Sequence, residues 1–202
     1  RFGCGHDVRR LARALAHLVV RPLDAGEVIR PGERRRFVLM LSAGVDAEIV
    51  RRLAEARGSG RATGRGGYVA YLRPTLGAAA AYRWPRLRVE ADDVTAEGTH
   101  LLVFNVDAYA LGLSYAPDAR DDDGRLDWVL FPKGGLPASL GELWSVWRGR
   151  HLARPGVRHG RARSLRIEAE CPAPLQADGD AAGFTSVEIQ THPAALKVVV
   201  VP

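Results

Sequence analysis

The stretches Leu101-Leu102-Val103-Phe104-Asn105 and Trp128-Val129-Leu130-Phe131 decide the fold class of this chain. Each is a short continuous apolar run, which is typical of a strand buried on both faces. Similar short runs recur along the chain and are separated by turn residues more often than by helices. We therefore predict an α+β fold, a β-rich sandwich with a few peripheral helices. The other predicted strands cover residues 36–41, 87–90, 165–169, 186–190 and 196–200.

Four segments have the spacing of helices, at residues 8–15, 46–56, 68–82 and 140–152. In the last of these, Leu143, Val146 and Trp147 are predicted to share one face. That face has two interpretations. It packs on a sheet, as most amphipathic helices do, or it touches an anionic membrane surface together with the arginines of the chain.

Length and composition predict a soluble globular protein. The chain has 202 residues, of which 47% are hydrophobic, and no apolar run approaches the roughly 20 residues that span a bilayer. Cys4 and Cys171 are the only cysteines, too few for a disulfide framework. We therefore expect a cytoplasmic protein.

The formal net charge of +6 comes almost entirely from arginine, since lysine occurs only at Lys133 and Lys197. The arginines are dispersed and are not interleaved with aromatic residues, so no nucleic-acid partner is predicted. The six histidines are scattered without the spacing of zinc ligands, and no zinc site is predicted.

Two acidic, glycine-containing stretches are the strongest functional signal. They are Asp121-Asp122-Asp123-Gly124 and Asp178-Gly179-Asp180. Clustered carboxylates repel one another unless a cation or a proton relieves them, which favours a divalent metal or phosphoryl-transfer site. The alternative is a solvated turn, because Asp-Gly is a favoured hairpin dipeptide.

A third motif, Gly3-Cys4-Gly5-His6-Asp7, opens the first predicted helix. A glycine-rich turn at a helix N-terminus is a natural anion site. The alternative is that Asp7 only caps the helix.

The order of these motifs resembles that of the bacterial diacylglycerol kinase and sphingosine kinase-like lipid kinases. The matching segments are residues 3–7, 42–48, 116–127 and 176–180. The resemblance implies the β-sandwich C-terminal domain of a two-domain fold shared with NAD kinase, which is itself a more distant match. Residues 1–22 would be a helical remnant of the N-terminal nucleotide-binding domain, and residues 23–202 the sandwich. The phosphate-binding glycine loop of the family would lie upstream, leaving this chain incomplete as a catalyst.

The function implied is ATP-dependent phosphorylation of the hydroxyl of diacylglycerol or a related lipid, in phospholipid biosynthesis. ATP and Mg²⁺ would be the cofactors and a lipid at a membrane surface the substrate, with peripheral membrane contact and a homodimer left open. The alternative is a non-catalytic lipid- or partner-binding module. It gains weight because Cys4 and His6 replace a threonine and an asparagine of the family motif.

The resemblance also implies residue roles. Asp180 would be the general base, although the family has glutamate there, and Asp178 would assist through the metal and water network. Asp123 would bind a structural Mg²⁺. The backbone carbonyls of Arg120 and Arg125 would also bind this Mg²⁺. The nucleotide would be contacted by Gly3, Cys4, Gly5 and Asp7.

Overall fold

The computed structural model describes residues 19–58, 81–107 and 113–200, together with Arg9, Ala12 and Gly77. These residues form twelve strands in two six-stranded sheets, and all strand pairs are antiparallel. The predicted β-rich sandwich is confirmed. The strands are β1 Val19–Arg30, β2 Glu33–Phe37, β3 Met40–Ala43, β4 Leu87–Ala91, β5 Val94–Gly98, β6 His100–Phe104, β7 Leu126–Phe131, β8 Arg158–Ala162, β9 Ser164–Ala169, β10 Pro174–Ala177, β11 Asp180–Phe184 and β12 Val187–Val200.

The first sheet has the order β2-β1-β12-β9-β4-β5 and the second the order β11-β10-β3-β6-β7-β8. The apolar core lies between them. In β7, Leu126, Trp128 and Leu130 belong to this inter-sheet cluster. Val129 and Phe131 belong to a second cluster on the opposite face of the same sheet. Because both faces of β7 are covered, its sequence is continuously apolar rather than alternating.

Two α-helices lie among the described residues, α1 at Val45–Gly58 and α2 at Leu136–Trp147, followed by a short 3₁₀ helix at His151–Ala153. α1 confirms the prediction for residues 46–56. The prediction of a helix over 140–152 was wrong at both ends. α2 begins earlier, with a proline in its first turn, and Gly149 with φ 64° lies just beyond its end. Within the described residues, no helix combines the length and apolarity needed to cross a membrane.

The predicted strand over residues 36–41 was wrong as a single element. The chain bends at Val38 and Leu39, so that β2 joins the first sheet and β3 the second. Hydrophobicity continues across the bend, which is why the pattern concealed it.

Residues 19–22, assigned from sequence to the helical remnant, are instead the start of β1, which pairs with β12 over most of its length. The two strands predicted at 186–190 and 196–200 are parts of this one long β12. A bulge lies between them, because Leu23 is opposite Leu196 while Ala25 is opposite His192.

The predicted helices at 8–15 and 68–82 fall largely outside the described residues. Arg9, Ala12, Gly77 and Ala81 are helical, and Tyr82 is not.

Candidate functional site

The turn between β10 and β11 is built around the carboxylate of Asp178. The backbone N–H of Val38 donates to Oδ2 at 2.7 Å, and those of Leu39 and Met40 donate to Oδ1 at 2.8 and 3.0 Å. Backbone N–H donors stabilise a charged carboxylate. Asp178 therefore fastens the β10–β11 turn to the bend where the chain passes between the two sheets.

Gln176 holds the same turn from inside the protein. Its buried side chain accepts the N–H of Gly179 through Oε1 at 2.9 Å and donates from Nε2 to Asp46 at 3.1 Å. The hydroxyl of Ser42 also donates to Asp46, at 2.7 Å. The turn is thus fixed on both sides, which gives the next residue a defined position.

That residue, Asp180, carries the accessible carboxylate of the turn. Its side chain is 79% exposed, and Arg35 Nη2 lies 3.4 Å from its Oδ2. Arg35 is itself held by donating to the carbonyl of Ala181 at 2.7 Å. The neighbouring Arg34 and Arg36 instead pair with Glu27. Side chains alternate between the two faces of β2, so Arg35 faces Asp180 while its two neighbours face Glu27.

The Asp-rich loop before β7 relieves its charge differently. Arg21 on β1 donates twice to the carboxylate of Asp121, at 2.8 and 2.5 Å. Asp123 accepts the backbone N–H of Arg125 at 3.0 Å and forms an ion pair with Arg161 on β8. Guanidinium groups from two strands therefore supply the positive charge that the sequence analysis assigned to a metal.

The metal role of Asp123, Arg120 and Arg125 stays a prediction. Arg120 uses its side chain to pair with Asp122 at 3.2 Å. In the part of the chain that the structure describes, no cluster of three or more His, Cys, Asp or Glu side chains could hold a metal ion. The carboxylate of Asp123 would have to leave Arg161 to bind Mg²⁺ there.

Asp24 anchors this loop and was missed by sequence reasoning. It is 2% exposed, and its carboxylate accepts the N–H of Gly124 at 2.6 Å and that of Ala194, in the β12 bulge, at 2.7 Å. These partners are 100 and 170 residues away in sequence. No local pattern could have marked this aspartate.

Asn105 connects the two acidic regions. Its Nδ2 donates to the carbonyl of Val38, in the bend held by Asp178, and to the carbonyl of Asp24, each at 2.8 Å. Both loops therefore belong to one end of the sandwich and share a common support. Within the described residues, Oδ1 of this fully buried side chain has no hydrogen-bond partner.

A pocket of about 310 Å³ lies beside the loop, on the face of β7 and β8 away from the inter-sheet core. Asp127, in this pocket, is 8% exposed. Burial, together with repulsion from Asp118, raises the pKa of Asp127 to about 6. Asp178 and Asp180 are not among its lining residues, which are Tyr115, Ala116, Pro117, Asp118, Asp127, Trp128, Val129, Leu152, His159, Gly160 and Arg161.

The predicted nucleotide contacts at Gly3, Cys4, Gly5 and Asp7 lie outside the described residues.

This arrangement of strands and loops is that of a known domain family. Residues 39–200 match the profile of the YegS C-terminal NAD kinase beta sandwich-like domain. The chain belongs to this family. The matched range begins at the bend held by Asp178 and includes both acidic loops, Asn105 and the β12 bulge.

Curated relatives of this YegS-type domain carry the name diacylglycerol kinase. A protein from Staphylococcus haemolyticus is 31% identical over 106 residues, which is 48% of this chain and 30% of that protein. One from Staphylococcus carnosus is 32% identical over 106 residues, 48% of this chain and 32% of that protein. The matched region is thus about a third of the relatives' length.

Solved structures share the fold of the YegS-type domain. One described as a diacylglycerol kinase from Bacillus anthracis str. Sterne has a TM-score of 0.62 at 13% identity and covers 100% of this chain and 61% of its own. Another structure from the same organism has a TM-score of 0.69 at 16% identity and covers 100% of this chain and 63% of its own.

Proposed function

We propose that this chain is the sandwich part of an ATP-dependent lipid kinase that phosphorylates the hydroxyl of diacylglycerol or a related lipid, in phospholipid biosynthesis. The observation that carries the proposal is the β10–β11 turn. In a domain of this family, it fixes Asp178 with three backbone N–H groups and leaves Asp180 exposed.

Asp180 is the proposed general base. A base must bring its carboxylate within hydrogen-bond reach of the hydroxyl proton that it removes. An accessible oxygen on a rigid turn meets this requirement, whereas the oxygens of Asp178 are already engaged by backbone donors. We therefore assign Asp178 a positioning role.

Arg35 is the proposed partner of Asp180. Its guanidinium lies 3.4 Å from the carboxylate and is oriented by its bond to the Ala181 carbonyl. A positive charge at this distance helps to orient the Asp180 carboxylate. It also favours the approach of a negatively charged phosphoryl group.

Mg²⁺ would accompany ATP as its counter-ion. Bound to the nucleotide, it would supply positive charge next to the transferred phosphoryl group. Asp123 is paired with Arg161, so no step is assigned to a metal at that loop.

The test is phosphate transfer from radiolabelled ATP to diacylglycerol in mixed micelles, using the full-length protein that contains this chain. Asp180→Asn keeps the shape of the side chain and removes its basicity. We expect it to lower kcat by about 10²- to 10⁴-fold, the usual contribution of a general base. Asp180→Glu, which restores a carboxylate, is the matched control and should retain most of the activity.

Two results would count against the assignment. Full activity in Asp180→Asn would remove Asp180 from the role of base. An inactive wild-type protein that still binds lipid vesicles without ATP would favour the non-catalytic lipid-binding module instead.

A further inference from the structure

Helix α2 presents an apolar ridge to solvent. Leu140, Leu143, Trp144 and Trp147 are 55%, 45%, 57% and 67% exposed. The indole rings of the two tryptophans stack with centroids 5.0 Å apart. Large apolar side chains that are grouped and exposed on a folded domain mark an interaction surface.

The opposite side of α2 packs against the sheet, so the helix cannot rotate to bury the ridge. Glu142, Ser145 and Val146 are buried, and Glu142 lies 3.2 Å from His100 on β6. The sequence prediction that Val146 shares a face with Leu143 and Trp147 was wrong for this reason. Packing on the sheet explains why Val146 is buried, but it does not explain why the two tryptophans are exposed.

Basic residues flank the ridge in the sequence, and one of them contacts it. The guanidinium of Arg148 lies over the ring of Trp144, 5.6 Å from its centroid. Between Asp127 and Glu168 the sequence has only one acidic residue, the buried Glu142. The basic residues that flank α2 in the sequence are Lys133, Arg148, Arg150 and Arg154. Farther along, Arg161 pairs with Asp123 and Arg166 with Glu188.

We propose that α2 lies flat on the surface of an anionic lipid bilayer, with the ridge in the interfacial layer and the basic residues against the headgroups. Helices of this kind carry apolar and aromatic residues on one face and bind through apolar burial plus attraction to anionic lipid. Tryptophan prefers the membrane interface because its ring is apolar and its N–H is polar.

A second copy of the chain would fit the ridge less well than an anionic bilayer does. In a two-fold symmetric dimer the ridge would face itself, and the surrounding basic residues would face other basic residues. Like charges brought together across an interface oppose association. An anionic bilayer supplies the opposite charge.

The test is co-sedimentation of the full-length protein with phosphatidylglycerol-containing vesicles and with pure phosphatidylcholine vesicles, without ATP. We expect binding to the anionic vesicles, and quenching of tryptophan fluorescence when the lipid chains are brominated. The double variant Trp144→Ser, Trp147→Ser should bind about tenfold more weakly or worse, since binding scales with buried apolar area. Arg148→Gln and Arg150→Gln should each weaken binding to anionic vesicles about fivefold.

The matched controls are Val94→Ser, an exposed apolar residue of β5, and Arg88→Gln, an exposed residue of β4. Both should bind like the wild type. Unchanged binding of the double tryptophan variant would overturn the proposal. It would also be overturned if the wild type ignored vesicles and the same variant dissociated a dimer in sedimentation velocity. Because ATP is absent, this outcome is independent of whether the protein transfers phosphate.

Discussion

The two acidic loops have similar sequences, but different groups balance the negative charge of their carboxylates. In the β10–β11 turn, backbone N–H groups take one carboxylate and the other stays exposed. In the loop before β7, arginines from β1 and β8 pair with Asp121 and Asp123. Clustered carboxylates therefore do not by themselves indicate a metal. What distinguishes the loops is the source of the neutralising donors. The Asp180 carboxylate of the turn is 79% exposed, against 34% for Asp122 in the other loop.

The largest expected effect on stability comes from the anchor of the Asp-rich loop. Asp24→Ala leaves the part-buried N–H groups of Gly124 and Ala194 without their acceptor, a carboxylate that is itself 2% exposed. We expect a loss of about 3 kcal/mol in the free energy of unfolding, measured by urea titration. Asp24→Asn, which keeps one acceptor oxygen, should lose less. A cost of Asp24→Ala below about 1 kcal/mol would contradict the anchoring role.

Removing the carboxylate of the other loop should cost less, because its donors can be solvated. Asp178→Ala is expected to lower the free energy of unfolding by about 2 kcal/mol, as three N–H groups lose a charged acceptor. Asp178→Asn is the milder control, since asparagine keeps an acceptor and tolerates the observed φ of 53°. If the two variants were equally stable, neither the hydrogen bonds nor the backbone conformation would matter here.

The ionisation of Asp127, at the start of β7, should make the stability of the protein depend on pH. Its pKa of about 6 in the fold lies above its ordinary value of 3.8. The protonated form is therefore favoured by folding, and its stabilising contribution is complete below about pH 4 and lost as the pH rises through 6. Arg161 Nε lies 3.7 Å from Asp127 Oδ2 and offsets part of the cost of burying the charge. Asp127→Asn should therefore stabilise the protein by about 1 kcal/mol at pH 7, with little effect at pH 4. Urea titrations at both pH values measure this, and equal effects at both would contradict it.

The smallest expected effect on stability is at Asp180. Its pairing with Arg35 is exposed, and such pairs contribute little. Asp180→Asn should change the free energy of unfolding by less than about 0.5 kcal/mol, at low and at high salt. A larger loss would mean that the residue is structural, and the activity test of this variant would then need a different substitution.

The sandwich was predictable because the apolar composition of its central strands indicates that both of their faces are buried. β6 and β7 are apolar at nearly every position, and covering on both faces is the only way to bury such runs. α1 begins at Val45, separated from the end of β3 by one residue, and was predicted from the helical spacing of its own apolar residues.

The errors arose where distant residues decide the local structure. The bend at Val38 and Leu39 exists because Asp178, about 140 residues later, accepts their N–H groups. The long β12 looked like two strands because Asp24 supports a bulge in its middle. The outward ridge of α2 was misjudged because Glu142, a charged residue, takes an inward position opposite His100.

The pairing of β1 with β12 has a consequence for synthesis on the ribosome. β12 lies between β1 and β9, so the first sheet cannot close until the last strand has been made. Asp24 likewise waits for Ala194 before its second hydrogen bond forms. Contacts this distant in sequence make folding slow. A nascent chain therefore carries Asp24 and the Asp-rich loop well before β12 supplies the partner that completes their hydrogen bonds.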